Sequence, residues 1–211
     1  MPASYAHYRF GKLLLPALPA DVRQTVQRFR RMYDLGLQGP DFFFYYNPFL
    51  STATGQLGKA FHQQSGQEFF SKACKAASSE AAEAYLYGLL AHYCLDSSCH
   101  PLVYGMTDNT DLGHGELEAE FDRYLMALDG IKKPHETNIS RHLKLKKGEY
   151  EVVAGFFPEA SVKDITHCIR NMALSQRLLT IPTPLGHGVV VTFTWVAGGN
   201  TSGKVMTVGP N

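Results

Sequence analysis

Residues 80 to 99 form a proline-free run rich in alanine and leucine. A run of that length and composition belongs in a helix. Helical periodicity recurs along the chain. In 21 to 33, "DVRQTVQRFRRMY", Val22, Val26, Phe29 and Tyr33 fall on one stripe with arginines opposite. Asp21 is a candidate cap for its start and Gly36 for its end. Residues 57 to 64 and 67 to 77 suggest two helical pieces broken near Ser65-Gly66. In 115 to 128 the stripe is Leu117, Phe121, Leu125 and Leu128, of which the first three are expected to face the core with His114 and Glu118 beside them near the interior. In 161 to 180 it is Val162, Ile165, Ile169 and Met172. "LQGPDFFFYYNPF", 37 to 49, is bounded by Gly-Pro and Asn-Pro and reads as an apolar loop or turn. "GVVVTFTWV", 188 to 196, looks strand-like but has no evident partner. These patterns predict an all-α protein: a single multi-helix domain over 1 to 190, then a flexible glycine-rich tail over 191 to 211.

The composition fits that reading. The chain has 211 residues, 45 % hydrophobic and 18 % charged, enough for one domain with its own core. The net charge of +1 supplies no strong field to steer nucleic acid or an anionic membrane. No apolar run approaches the roughly 18 residues of a membrane span. The first residues, "MPASYAHYRFGKLLLPALP", lack the charged start and long apolar stretch of a signal peptide, so a cytoplasmic protein is expected. The four cysteines, Cys74, Cys94, Cys99 and Cys168, form no CxxC pair and read as buried free thiols.

Against this apolar background a set of polar side chains stands out. In "HYCLDSSCHP", 92 to 101, His92, Asp96 and His100 follow in steps of four. Each step turns about 40° around a helix, so His92 and Asp96 share a face and His100 sits further round. Cys94 falls across the helix from His92 and drops out of the set. Imidazole and carboxylate ligands suit zinc and similar divalent ions. His114 and Glu118 repeat the same spacing. His7, Asp41 and His62 are further candidates; Asp41 precedes five consecutive aromatics, and a buried carboxylate must be paired, protonated or metal-bound. A histidine alone on a helix is more often a packed or surface residue, and His135, His142, His167 and His187 are read that way. Asp108, Asp111 and Asp122 are read as solvated charges.

Taken in order, His7, GPD with Asp41, His62, HxxxD with His92 and Asp96, His100, and HxxxE with His114 and Glu118 resemble the zinc-dependent phospholipase C family, whose metal-site plan the S1/P1 nucleases share. The resemblance covers about residues 5 to 128. "GLLAHYCLDSSCHP" is its most specific part, and "LGLQGPDFFFYYNP" is similar to the subgroup of bacteria without secretion signals. The resemblance implies an all-α fold with two or three zinc ions between helices. Asp41, His62 and His92 would hold one ion, with Asp96 bridging to its neighbour. His100, His114 and Glu118 would hold a second. His7 and Asp96 would hold a third. Asp41 would also be the base that activates water.

Such a site suits a phosphodiester, an anion that resists hydroxide. Clustered divalent ions neutralise it, lower the pKa of bound water and stabilise the leaving oxygen. The expected activity is therefore hydrolysis of a phospholipid or related phosphate ester. The alternatives are a nuclease of the S1/P1 type, the one reading with a nucleic-acid partner, and a metal-binding protein without turnover. The "FFFYY" run is expected to pack around the site more than to line a pocket.

Overall fold

Local sequence signals place several of the helix starts. The structure, a computed structural model, describes residues 4–47, 50–108, 113–134 and 137–179. The described residues form nine α-helices and include no strand: α1 (Ser4–Leu14), α2 (Ala20–Arg28), α3 (Arg30–Gly36), α4 (Ala53–Gln63), α5 (Gly66–Ala76), α6 (Glu80–Thr107), α7 (His114–Leu128), α8 (Glu149–Ala154) and α9 (Val162–Leu179). Thr52, Ser65 and Ser79 cap α4, α5 and α6, each side-chain oxygen accepting a backbone N–H three residues on. The break at Ser65-Gly66 falls where the sequence puts it. The strand-like run 188 to 196 and the tail lie outside the described residues.

Several expectations are corrected. The single helix over 21 to 33 is two helices, because Phe29 takes φ −112°, ψ 43° and ends α2. Asp21 does not cap α2: Pro19 occupies that position, and Asp21 lies in the first turn. The helix from 80 continues through Pro101 to Thr107 and loses one backbone donor in doing so. In α7 the stripe Leu117, Phe121, Leu125, Leu128 does not face the core. Phe121 and Leu128 are exposed, and the buried positions are Asp122 and Met126. Asp122 is therefore no solvated charge, whereas Asp108 is exposed as expected. Of the cysteines only Cys168 is buried; Cys74 and Cys94 are exposed and Cys99 is intermediate. Two helices, α1 and α8, have no counterpart in the sequence reading.

The core is aromatic and aliphatic: Tyr33, Tyr85, Phe42, Phe43, Phe157, Leu35, Leu89, Ile165 and Ile169 are all essentially inaccessible. Each such side chain contributes about 2 kcal/mol, whereas an exposed pair such as Arg28–Glu80 contributes at most about 1. Packing therefore holds the fold. At its centre α3 crosses α6 at backbone contact. A Cβ on Gly88 would lie 2.3 Å from the Tyr33 carbonyl oxygen and 2.8 Å from the Gly36 Cα. Gly36 is not the expected cap: it is the last residue of α3, Leu37 takes the cap position, and the reason for a glycine there is this approach.

After α3 the chain turns through Gly39, at φ 55°, into a 3-10 turn over Asp41–Tyr45. Phe42 and Phe43 are buried there, and Phe43 and Phe42 meet Phe157 edge to face. On the far side Asn171 of α9 donates to the carbonyls of Tyr45 and Tyr46 at 3.0 and 3.4 Å, and His167 lies 3.1 Å from the latter. The turn that carries Asp41 is thus fastened from both sides.

Candidate metal centre

Five elements bring the eight singled-out residues to one region. The turn after α3 carries Asp41, and α1 carries His7. His62 comes from the last turn of α4. His92, Asp96 and His100 come from α6, and His114 and Glu118 from the start of α7. His7, Asp41, His92 and Asp96 are buried; the other four are partly exposed.

Among the described residues, two groups offer three ligand atoms all within 4.8 Å of one another: His7, His92 and Asp96, and Asp41, His62 and His92. His92 belongs to both. The His62 Nε2 lies 3.0 Å from Asp41 Oδ1 and 3.8 Å from Asp96 Oδ2. The His92 Nε2 is 4.0 Å from each of those same oxygens. The His7 Nε2 is 3.6 Å from Asp96 Oδ1, and its ring stacks on His92 at 4.2 Å. Asp96 therefore sits between the two groups.

His100, His114 and Glu118 adjoin this pair. His100 Nδ1 is 3.4 Å from Asp96 Oδ2, the His100 and His114 rings stack at 5.7 Å, and His114 Nε2 is 2.7 Å from Glu118 Oε1. The third set is brought alongside but is less converged than the other two.

The ring orientations favour ligation. His62 Nδ1 lies 2.7 Å from the Gly58 carbonyl and His92 Nδ1 3.2 Å from that of Leu37. With Nδ1–H donated to a carbonyl, each Nε2 presents its lone pair to the site. Both ring nitrogens of His7, His62 Nε2, Asp41 Oδ1 and Asp96 Oδ1 are buried without a hydrogen bond. Orphaned buried polar atoms are costly and uncommon, and here they face one another. A divalent cation would satisfy them together.

The charge states agree. Burial, and then the neighbouring His7, pushes His92 down to about 4. Burial likewise lowers His7 and His114. Burial alone would raise Asp96, but the imidazoles of His7, 3.6 Å away, His92 and His100 outweigh it and hold the carboxyl at about 2. Burial opposes a charge on His62, yet the Asp41 carboxylate and the Gly58 carbonyl raise it. Near pH 7 the centre thus combines neutral imidazoles on His7 and His92 with an ionised Asp96, as metal ligation needs. The donor set of nitrogen and carboxylate oxygen fits zinc.

A cavity of about 530 Å³ opens over the centre. His62, His92, Asp96 and His100 line it, with Phe61, Phe69, Phe70, Leu89 and Tyr93 as an apolar wall. None of the 42 to 46 aromatics lines it, in keeping with their packing role.

The sequence reading missed three contributors. Gly39 makes room for His92: a Cβ there would meet the imidazole at 2.3 Å. Tyr104, four residues past His100, packs its ring against His100 and His114. Asp122, four past Glu118, lies on the same helical row. Extending each step-of-four series by one turn would have found the last two.

No helix among the described residues is long and apolar enough to cross a membrane. No curated protein and no solved structure matches the chain. The family model for zinc dependent phospholipase C matches residues 6–169. That match and the His/Asp groups together support a metal-dependent hydrolase. Because the matched stretch spans most of the chain and contains all eight residues of the centre, the chain belongs to the zinc dependent phospholipase C family.

Proposed function

We propose that the chain is a zinc-dependent phosphodiester hydrolase acting on a phospholipid or a related phosphate ester. The observation that carries this reading is the pair of His/Asp groups sharing His92, with their lone pairs unspent, at the base of a largely apolar cavity. Asp41, His62 and His92 would hold one zinc, and His7, Asp96 and His92 would surround another. His100, His114 and Glu118 would hold an ion beside them. Bound there, zinc would supply a Lewis acid and a water acidic enough to be deprotonated near neutrality.

The chain's own groups account for the rest. Among the described residues no lysine or arginine lines the cavity, so these side chains offer the phosphate no permanent cation, and the aromatic wall excludes water from the apolar part of the ester. We assign Asp41 as the proton acceptor for the attacking water: it is an acid next to His62 and is held by a turn buried on both sides. Asp96, ionised between the two groups, would be the carboxylate shared by neighbouring ions.

The test begins with metal analysis of the purified protein. Two or three zinc ions per chain are expected, and fewer than two would sink a polynuclear centre. Phosphatidylcholine vesicles, bis-p-nitrophenyl phosphate and single-stranded DNA are then offered to the zinc-loaded protein. Cleavage of the first two supports the proposal. Cleavage of DNA alone would assign a nuclease, and bound zinc with all three intact would leave a metal-binding protein without turnover.

A further inference from the structure

The first helix reaches the centre by an indirect attachment. His7 has no hydrogen bond to fix its ring, since both nitrogens lack a partner, and its orientation comes from the stack on His92 and from where α1 places its backbone. α1 carries no acidic residue in its first turn to complement its N-terminal amides. That acid comes from α7. Asp122 Oδ2 accepts the Tyr5 N–H and Oδ1 accepts the Ala6 N–H, both at 2.9 Å, across more than 110 residues of chain. Asp122 is 8 % exposed, so these two bonds are made away from solvent. They engage the two amides that directly precede His7. A carboxylate holding backbone amides at a helix start is both a charge-assisted bond and a favourable dipole contact.

A second pair of bonds ties α1 to Asp129, the residue that ends α7 about two turns beyond Asp122. Asp129 accepts from the Arg9 guanidinium at 2.8 Å and from the Tyr5 hydroxyl at 2.7 Å. These are exposed and contribute less. The buried contact at Asp122 therefore sets the register of α1 against α7.

We propose that Asp122 is a positioning residue for His7, holding the first turn of α1 so that the imidazole meets His92 and Asp96. Asp122 touches neither the ligand atoms nor the cavity; it acts through the backbone of α1. The proposal rests on the reading that His7 is a metal ligand, and it adds a role to a residue outside the ligand set.

The test compares zinc binding in the full chain, its Asp122→Asn and His7→Ala variants, by metal analysis and by competitive titration with a chelator. An amide at 122 keeps one acceptor and turns its NH2 toward the second backbone donor. His7→Ala should lose one zinc equivalent that no excess of zinc restores. Asp122→Asn should lose the same equivalent at limiting zinc and regain it at about 10- to 100-fold higher free zinc, since every ligand is still present. Wild-type affinity for that equivalent in folded Asp122→Asn would overturn the positioning role even if the melting temperature falls, because a merely stabilising acid lowers stability and leaves the titration alone. Unchanged zinc content in His7→Ala would instead overturn the ligand reading, and the proposal with it. Should Asp122→Asn not fold, Tyr5→Pro compared with Tyr5→Phe removes one donor and leaves the buried acid in place. Zinc affinity lower in Tyr5→Pro supports the proposal, and equal affinities overturn it.

Discussion

Gly39 and His92 occupy what would be one side chain's space: a Cβ on Gly39 would lie 2.3 Å from both Cδ2 and Nε2 of the imidazole. The residue also sits at φ 55°, which costs an ordinary residue about 1–2 kcal/mol. Backbone and ring therefore make the same demand, and the turn leading to Asp41 can run directly over the histidine shared by both ligand groups.

Gly39→Ala should be harmful twice over. The backbone strain should lower stability by about 1 kcal/mol or more, and the displaced ring should lower zinc content. Thermal unfolding of the metal-free protein reads the first effect and metal analysis the second. An alanine variant with full zinc content would show that His92 does not need the position it has.

Asp96→Asn should reduce zinc content more than His167→Ala does. Asp96 approaches His7, His62, His92 and His100, whereas His167 is exposed on α9 and contacts the Tyr46 carbonyl. Equal losses in the two variants, measured by metal analysis after dialysis, would count against the bridging assignment.

Chelation should lower the melting temperature markedly. Zinc at 100 times its dissociation constant stabilises by about 2.7 kcal/mol per site, and the orphaned atoms of His7, Asp41, His62 and Asp96 would lose their partner on its removal. Calorimetry with and without chelator reads the difference, and identical melting curves would speak against a metal centre.

Acid should destabilise the metal-free protein through a histidine outside the candidate centre. Burial depresses His142, which stacks on Tyr8 away from the centre, to about 4. The unfolded chain takes up this proton as pH falls through about 6.5, and the folded chain resists until about 4. Stability from the neutral ring is therefore intact above 6.5 and is lost between 6.5 and 4. His142→Phe keeps the stack without the titration. Its stability should fall less over that window, by on the order of 1–3 kcal/mol. Asp122, which burial raises to about 7 against the lowering effect of the Tyr5 and Ala6 N–H bonds, works in the opposite sense between about 4 and 7 and is common to both proteins. Parallel stability–pH curves would refute the assignment to His142.

Much of this was legible in the chain. Ser65, the arginines of α2 and the apolar positions Ile165, Ile169 and Met172 speak through local periodicity and capping, and they fall where that logic puts them. So do the steps of four in α6, because neighbours on one helix need no tertiary information. What stayed hidden depends on contacts between distant segments. Leu117, Phe121, Leu125 and Leu128 make a plausible apolar stripe, yet α7 turns its His114–Glu118–Asp122–Met126 row inward, because that row has amides of α1 and ligands of α6 to meet. A hydrophobicity pattern cannot register a carboxylate whose partners lie more than 110 residues away. The break at Phe29 has no helix-breaking residue to announce it, and the approach of Gly36 to Gly88 pairs residues 52 positions apart.

The contact between Gly36 and Gly88 divides the work of adaptation within the molecule. Backbones already touching cannot slide or roll past each other, so α3 with its following turn and α6 behave as one fixed jaw bearing Asp41, His92, Asp96 and His100. The opposing jaw is made of α1, α4 and α7, each attached through side chains and each contributing only one or two of the remaining groups. A variant selected for a larger ion or a bulkier ester would accumulate its changes in those three helices, and the glycine crossing would be the last place to find one.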